Sequence, residues 1–233
     1  MSALLVATSA SSMAMAQPTA PRAASWLPGA VAPSYLDGSL PGDIGMDPLS
    51  LVALAPTGTA SDSGPWASQE RKTRLVMMNE YERKRKVAWM REAEIKHARL
   101  AMMAAVGWPV SEIIDGPLSK LLGMPNVMEA TNGRAPSLLN GHLFDGPQGG
   151  FLLLVALATA YLEANTLDNV EGLTSDTYIA GDLGFDPLGL REKRADMALS
   201  EIKHGRVAML AVAGYVAQEA IYRTPVIAQW PLK

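Results

Sequence analysis

The stretch AEIKHARLAMM at residues 93–103 returns as SEIKHGRVAML at residues 200–210. Each copy follows another repeated stretch, PGDIGMDPLSL at 41–51 and AGDLGFDPLGL at 180–190. The first copy has the longer connection, and its segment 55–68 is rich in Pro, Gly, Ser and Thr, which predicts a loop. A repeat of this kind predicts two similar helices related by a pseudo-twofold axis, each entered through an equivalent loop.

Three helices are predicted from the apolar pattern, at about 69–112, 148–165 and 195–222, and no strand pattern competes with them. Prolines at 117, 125, 136 and 147 predict a loop between the first and second helices. The uncharged runs are about 11, 16 and 12 residues long, at 100–110, 147–162 and 207–218. A spanning helix needs roughly 20 residues, so hydropathy alone leaves a soluble helical bundle open.

Charged clusters interrupt the first and third helices at the repeated positions. Glu94 and Arg99 are five residues apart, so their side chains point about 140° away from each other on one helix. The same holds for Glu201 and Arg206. We therefore expect Glu94 to pair with Arg206, and Glu201 with Arg99, across two crossed helices.

Pairing across the helices favours a membrane protein. Each unpaired charge near a bilayer centre costs on the order of 2.5–3.5 kcal/mol, and pairing removes most of that cost. Small residues line the glutamate faces, which lets two helices approach closely; they are Ala98, Ala101 and Ala105 on the first helix, and Gly205, Ala208 and the larger Val212 on the third. The predicted fold is an all-α membrane protein with three transmembrane helices, the first and third crossed about the pseudo-twofold axis.

Two of the three histidines, His97 and His204, occupy the same repeat position, one turn after a glutamate. The chain has no Cys, which excludes zinc-thiolate sites and thiol catalysis. A bare metal ion needs more ligands than one His and one Glu provide. A hydrolase built on Glu94 and His97 would need a nucleophile or a complete set of metal ligands, and the sequence shows neither. A Mg²⁺ ion at the centre of a macrocycle, in contrast, needs only one axial ligand from the protein.

The N-terminal residues 1–35 are rich in Ala and Ser and contain no acidic residue, which is typical of an organelle-targeting segment. A secretory signal and an uncleaved disordered tail are the alternatives. Residues 36–233 are predicted to form one three-helix domain. The net charge of −3 gives no reason to expect a nucleic-acid partner.

The paired E-x-x-H-x-R and G-D-x-G-x-D-P-L-x-L motifs resemble those of the chlorophyll-binding light-harvesting family of plastids. This resemblance implies a non-enzymatic thylakoid antenna that holds chlorophyll a and carotenoids of the xanthophyll type, with chlorophyll c as a further possibility. It implies axial magnesium ligands at Glu94, His97, Glu163, Glu201, His204 and Gln218, with Arg99 and Arg206 completing the pigment sites. The G-D segments around Asp43 and Asp182 resemble those that contact carotenoid end groups.

Some positions depart from the family pattern. Val155 stands where the middle helix of the family has a Gln, and the family's further His after Gln218 is missing. His on both outer helices is more similar to red-lineage antennae, which implies photosystem I as the favoured core, with neighbouring antenna subunits and thylakoid lipid as partners. A photoprotective relative that dissipates energy, and a small membrane transporter with intramembrane ion pairs, remain alternatives.

Overall fold

The computed structural model describes residues 22–54, 79–123, 126–137, 140, 143–144, 147–167, 180–182, 186–187, 189 and 196–229. Within them lie four α-helices: α1 (Glu80–Leu122), the short α2 (Val127–Ala130), α3 (Pro147–Leu167) and α4 (Met197–Tyr222). Two 3-10 turns, Leu51–Leu54 and Ile227–Gln229, lie before α1 and after α4. The described chain is thus all-α, with three long helices.

The first helix differs from its predicted bounds. It was expected to end near residue 112, with Pro117 in a loop, but α1 continues through Pro109 and Pro117 to Leu122. A proline inside a helix removes one backbone hydrogen bond and strains the turn before it, yet packing can hold the helix together. The helix ends where Gly123 adopts a left-handed conformation (φ 63°) and its N–H bonds to the carbonyl of Ser119. The start predicted near residue 69 lies outside the described residues.

The other two predictions agree with the structure to within two residues. The middle helix begins at Pro147, a favourable first helical position, and ends at Leu167. The last helix ends at Tyr222 as predicted, where Arg223 takes the left-handed cap conformation (φ 54°). The predicted start at residue 195 lies outside the described residues.

The core lies between α1 and α4. Its small and apolar members are nearly inaccessible to solvent; they are Ile95, Ala98, Ala101, Ile202, Gly205 and Ala208. A Cβ placed on Gly205 would overlap the Cβ of Ala98, so the absence of a side chain there sets how closely the helices approach. Tight van der Waals contact of this kind is how helices associate where water provides no driving force.

The middle helix has a different surface. From Phe151 to Ala164 nearly every side chain of α3 is exposed, including large apolar ones such as Leu154 and Leu157. In the part of the chain that the structure describes, no helix has a stretch both long and apolar enough to cross a membrane.

The segment before α1 is fixed by local contacts. Residues 22–35 fold back on themselves through an isolated bridge between Ala23 and Val31, and the N–H of Ser25 joins this segment to the carbonyl of Ile44. Residues 1–21 lie outside the described residues. The division of the chain at residue 35 stays a prediction.

Candidate functional site

Two ion pairs join α1 to α4. The Nε atom of Arg206 lies 2.8 Å from Oε1 of Glu94, and the Nε atom of Arg99 lies 2.6 Å from Oε1 of Glu201. These are the two interhelical pairs that the helical geometry of the sequence predicts. Each pair neutralises a carboxylate inside an otherwise apolar interface.

Each arginine also binds the loop that leads into the other helix. Arg206 donates to the carbonyl of Gly42 at 2.8 Å, and Arg99 donates to the carbonyl of Gly181 at 2.6 Å. Both glycines have positive φ (72° and 71°), which favours a residue without a side chain. The two halves of the repeat therefore hold each other through equivalent contacts.

Among the described residues, Glu94 has two cationic partners and Glu201 has one. Arg91, only 7% exposed, places its guanidinium 2.7 Å from Oε2 of Glu94 and also donates to the carbonyl of Pro41. The position equivalent to Arg91 in the second repeat is Ala198. The two glutamates of the repeat thus differ in charge environment, although their sequence motifs are the same.

The two motif histidines are exposed and share one hydrogen-bond pattern. Nδ1 of His97 lies 2.7 Å from the carbonyl of Ala93, and Nδ1 of His204 lies 2.8 Å from that of Ser200. Because a carbonyl oxygen only accepts, Nδ1 is the donor in both bonds, and in a neutral imidazole Nε2 then has the free lone pair. The Ser200 hydroxyl, 3.3 Å from Nδ1 of His204, lies beside the second of these bonds. A backbone carbonyl on Nδ1 is the usual way in which a metal-ligating histidine is oriented.

The structure does not gather all the predicted site residues at one place. Glu94 meets Arg206, and Glu201 meets Arg99, where α1 and α4 contact. His97 and His204 lie exposed on the same two helices. Glu163 lies on α3 and reaches α1 through an ion pair with Lys96. Gln218, half-buried on α4, lies about 21 Å from His204 along the helix axis.

Sequence reasoning missed a second polar contact near the far ends of the same helices. Glu219 is 2% exposed, and its Oε1 accepts a hydrogen bond of 2.9 Å from Nε1 of Trp108. Glu112 accepts from the backbone N–H groups of Val226 and Ile227 at 3.2 and 3.0 Å, which fixes the chain after α4. The repeat contained the signal, since Glu112 and Glu219 each follow the motif glutamate by the same interval.

Aspartates organise the loop before α1. Asp43 accepts from the N–H groups of Gly38 and Gly45 at 2.7 and 2.8 Å, and forms an ion pair with Arg22. Asp47 accepts from the N–H of Leu51 at 2.7 Å, which supports the capping role expected of this motif.

Two groups in this loop have shifted pKa values. Hydrogen bonds from the hydroxyl and N–H of Ser39 lower the pKa of Asp37 below its usual value. Burial, together with a 2.7 Å hydrogen bond to the Asp47 carboxylate, raises the pKa of the Tyr35 phenol far above its usual value.

A cleft of about 510 Å³ lies between this loop and α1, beside the ion pair of Glu94 and Arg206. Its walls are mostly apolar, from Leu36, Ile44 and Met46 on the loop to Val87 and Met90 on α1. Arg206 and Glu94 also line it. Apolar walls with a few convergent charged groups are typical of a site for an organic ligand.

Comparison with known proteins identifies the type of chain. Residues 32–220 match the model of the family described as "Chlorophyll A-B binding protein". Chlorophyll a-b binding protein 6 of Arabidopsis thaliana is 30% identical over 86% of this chain and 70% of its own length. A fucoxanthin-chlorophyll a-c binding protein of Isochrysis galbana is 35% identical over 57% of this chain and 64% of its own.

A stress-related relative also matches. Light-harvesting complex stress-related protein 3.2 of Chlamydomonas reinhardtii is 34% identical over 61% of this chain. The chain covers only about half, 56%, of that relative's length. All three relatives are chloroplast proteins, so the predicted location at the plastid thylakoid membrane is confirmed. The matched region takes in both repeats, and the chain belongs to the chlorophyll a-b binding family of light-harvesting proteins, which is not a family of enzymes.

Proposed function

We propose that this chain is an antenna subunit that binds chlorophyll a and carotenoids and passes excitation energy to a photosystem, with photosystem I as the favoured acceptor. The observation that carries the proposal is the pair of exposed histidines, each with Nδ1 within hydrogen-bond distance of a backbone carbonyl. Each imidazole thereby offers Nε2 to one axial position, and a bound chlorophyll would supply the absorption of light.

The assigned magnesium ligands are Glu94, His97, Glu163, Glu201, His204 and Gln218. Arg206 is assigned to hold Glu94 in place, and Arg99 to hold Glu201. A carboxylate has about four acceptor positions, so a lone pair of each remains for the metal. The cleft beside Asp43 fits the end group of a carotenoid, and we assign the corresponding role at Asp182 from the repeat.

The same proposal places α1, α3 and α4 across the thylakoid membrane, with α1 and α4 crossed about the pseudo-twofold axis. Pairing of the central charges supports this arrangement, because it lowers the cost of placing them in lipid. The exposed apolar side chains of α3 also support it, since pigment tails and lipid would cover them. The partners are then a photosystem core, neighbouring antenna subunits and thylakoid lipid.

The test is pigment analysis of the purified full-length chain by chromatography. Chlorophyll a with at least one xanthophyll is the expected result, and the same chromatogram reports whether chlorophyll c accompanies them. Excitation spectra of photosystem I emission, measured with the chain attached, test the acceptor. A colourless protein that is folded in detergent would overturn the proposal and favour the transporter reading.

The site assignment predicts unequal effects of the two arginines. Arg99→Met removes the cation that the structure places on Glu201, whereas Arg206→Met leaves Glu94 with Arg91. A hydrogen bond to a charged group contributes about 1.5–3 kcal/mol, so we expect the larger loss of thermal stability and of chlorophyll in Arg99→Met. Equal losses in the two variants would contradict the role given to Arg91.

Energy dissipation is the second candidate function, and the stress-related relatives of Chlamydomonas favour it. The fluorescence lifetime of the pigmented protein, measured at neutral and at acidic pH, separates the two. A lifetime that stays long at both values supports harvesting, and a marked shortening in acid supports dissipation.

A further inference from the structure

The middle helix contains a single charged residue, Glu163, and no Lys or Arg. The residues one turn away on either side, at 159, 160, 166 and 167, are Thr, Ala, Thr and Leu. A neutralising charge for this carboxylate must therefore come from another element.

Lys96 on α1 provides that charge. Its Nζ lies 2.6 Å from Oε2 of Glu163 and 3.1 Å from Oε1 of Glu92. Lys96 is 29% exposed and Glu92 12% exposed, while Glu163 is 49% exposed. One ammonium group thus joins a well-buried carboxylate of α1 to the carboxylate of α3.

Glu92 fixes the lysine from the other side. Its Oε2 accepts a hydrogen bond from the N–H of Gly181, in the loop that leads into α4, while Oε1 holds Lys96. Because both carboxylate oxygens of Glu92 are bonded, the ammonium group of Lys96 is held in one position, and from there it contacts α3. Long lysine side chains otherwise have much conformational freedom to lose.

The repeat contains an internal comparison. Lys203 occupies the position equivalent to Lys96, but the position equivalent to Glu92 is Leu199. Lys203 lies exposed on α4. The motif glutamates, histidines and arginines are the same in both halves, so the bridge to α3 is a feature of the first half.

We propose that Lys96 is a positioning residue for the pigment site of the middle helix. It docks α3 on α1 and holds Oε2 of Glu163, which leaves Oε1 for the magnesium of a chlorophyll. This inference rests on the proposed function, in which Glu163 is an axial ligand, and it adds the group that orients that ligand.

The experiment compares Lys96→Gln, Lys96→Arg and Glu163→Leu, which leaves no oxygen ligand at position 163, with Lys203→Gln as the matched control, each assembled as a full chain with pigment. The readouts are chlorophylls per polypeptide and the circular-dichroism difference spectrum against the unchanged chain. We expect Lys96→Gln and Glu163→Leu to lose the same chlorophyll, about one per polypeptide, with the same difference spectrum. Lys96→Arg keeps a cation at the site and should restore most of the loss, and Lys203→Gln should keep full pigment.

Two outcomes would overturn the inference. Full pigment in Lys96→Gln means that the bridge does not position the ligand. General failure of Lys96→Gln to assemble, with Glu163→Leu still assembling, means that Lys96 acts on the fold and not through Glu163. An unchanged chain that takes up no chlorophyll is a failure of the proposed function instead, and the two failures are therefore distinguishable.

Discussion

Gly205 lies where α1 and α4 pack closely together. A Cβ at this position would overlap the Cβ of Ala98 and lie 3.2 Å from its Cα, well inside van der Waals contact. The helices cannot move apart freely at this point, because the ion pairs of Glu94 and Glu201 hold them together on either side.

Gly205→Ala should therefore destabilise the protein, although alanine is the better helix former. Overpacking of a tight interface costs roughly 1–3 kcal/mol, which exceeds the roughly 0.5–1 kcal/mol that Gly→Ala gains in a helix. Gly214→Ala in the same helix is the control, since nothing lies within 4 Å of its Cβ and only the gain remains. Thermal unfolding in detergent measures both, and a stabilised Gly205→Ala would contradict this account of the interface.

At the residue scale the sequence predicts the symmetric contacts and misses the others. The Glu94–Arg206 and Glu201–Arg99 pairs follow from helix geometry and the repeat. Glu and Arg five residues apart point away from each other on one helix, so each can pair only with its counterpart on the other helix. Arg91 and Lys96 could not be assigned in this way. Their side chains are long, and the carboxylate that each one meets depends on how far the helices and loops approach in three dimensions.

The elements show where local signals are weaker than packing. Pro117 indicates the end of a helix, yet α1 continues through it to Leu122, since a proline removes one backbone hydrogen bond but does not by itself exclude the helical conformation. The true end, Gly123, was present in the sequence as an ordinary C-cap signal. The ends of α3 and α4 were predictable to within two residues, because each apolar run ends near residues that favour a boundary.

A partly buried hydrogen bond helps to hold the loop before α1. Tyr35 donates to Asp47, whose other carboxylate oxygen accepts from the N–H of Leu51. Because burial and this bond raise the pKa of the phenol, the folded state holds the proton more tightly than the unfolded state does. The stability that Tyr35 contributes is then complete below its unfolded pKa near 10 and is lost as the pH rises above that value.

We therefore expect one of the six tyrosines to ionise only when the loop opens at alkaline pH. Absorbance of tyrosinate, followed during titration, should show a late step that is absent in Tyr35→Phe. The same substitution should cost about 1.5–3 kcal/mol at neutral pH, since it removes a hydrogen bond to a charged acceptor. Tyr81→Phe, on an exposed residue of α1, is the control and should leave the late step in place.

At the scale of the whole molecule, the described structure joins a tightly packed pair of helices to a third that is mostly exposed. Ion pairs and small residues hold α1 to α4, whereas α3 presents large apolar side chains such as Phe151 and Tyr161 to its surroundings. Sequence reasoning predicted three helices and the family. It could not predict the exposure of α3, because the apolar pattern of a helix does not say what covers it.

Hydrogen exchange tests this division. In the pigment-free chain we expect the amides of α3 to exchange well before those at the centres of α1 and α4, because few buried contacts protect them. Pigment that binds the folded chain but not the unfolded one should slow the exchange of α3 most. The slowing should grow with the ratio of the pigment concentration to the dissociation constant. Equal protection of all three helices without pigment would show that α3 is held by contacts of the protein itself.

The reciprocal hydrogen bonds of Arg99 and Arg206 have a consequence for synthesis of the chain. Arg206, from the second half of the chain, holds Gly42 in the first, and Arg99, from the first, holds Gly181 in the second. Each half of the chain therefore needs the other to complete its contacts. When α1 and α3 have been synthesised, Arg99 and Glu94 still lack their partners on α4, Glu201 and Arg206. A chain truncated before α4 lacks Glu201 and Arg206, and it therefore lacks both interhelical ion pairs and the bond from Arg206 to Gly42.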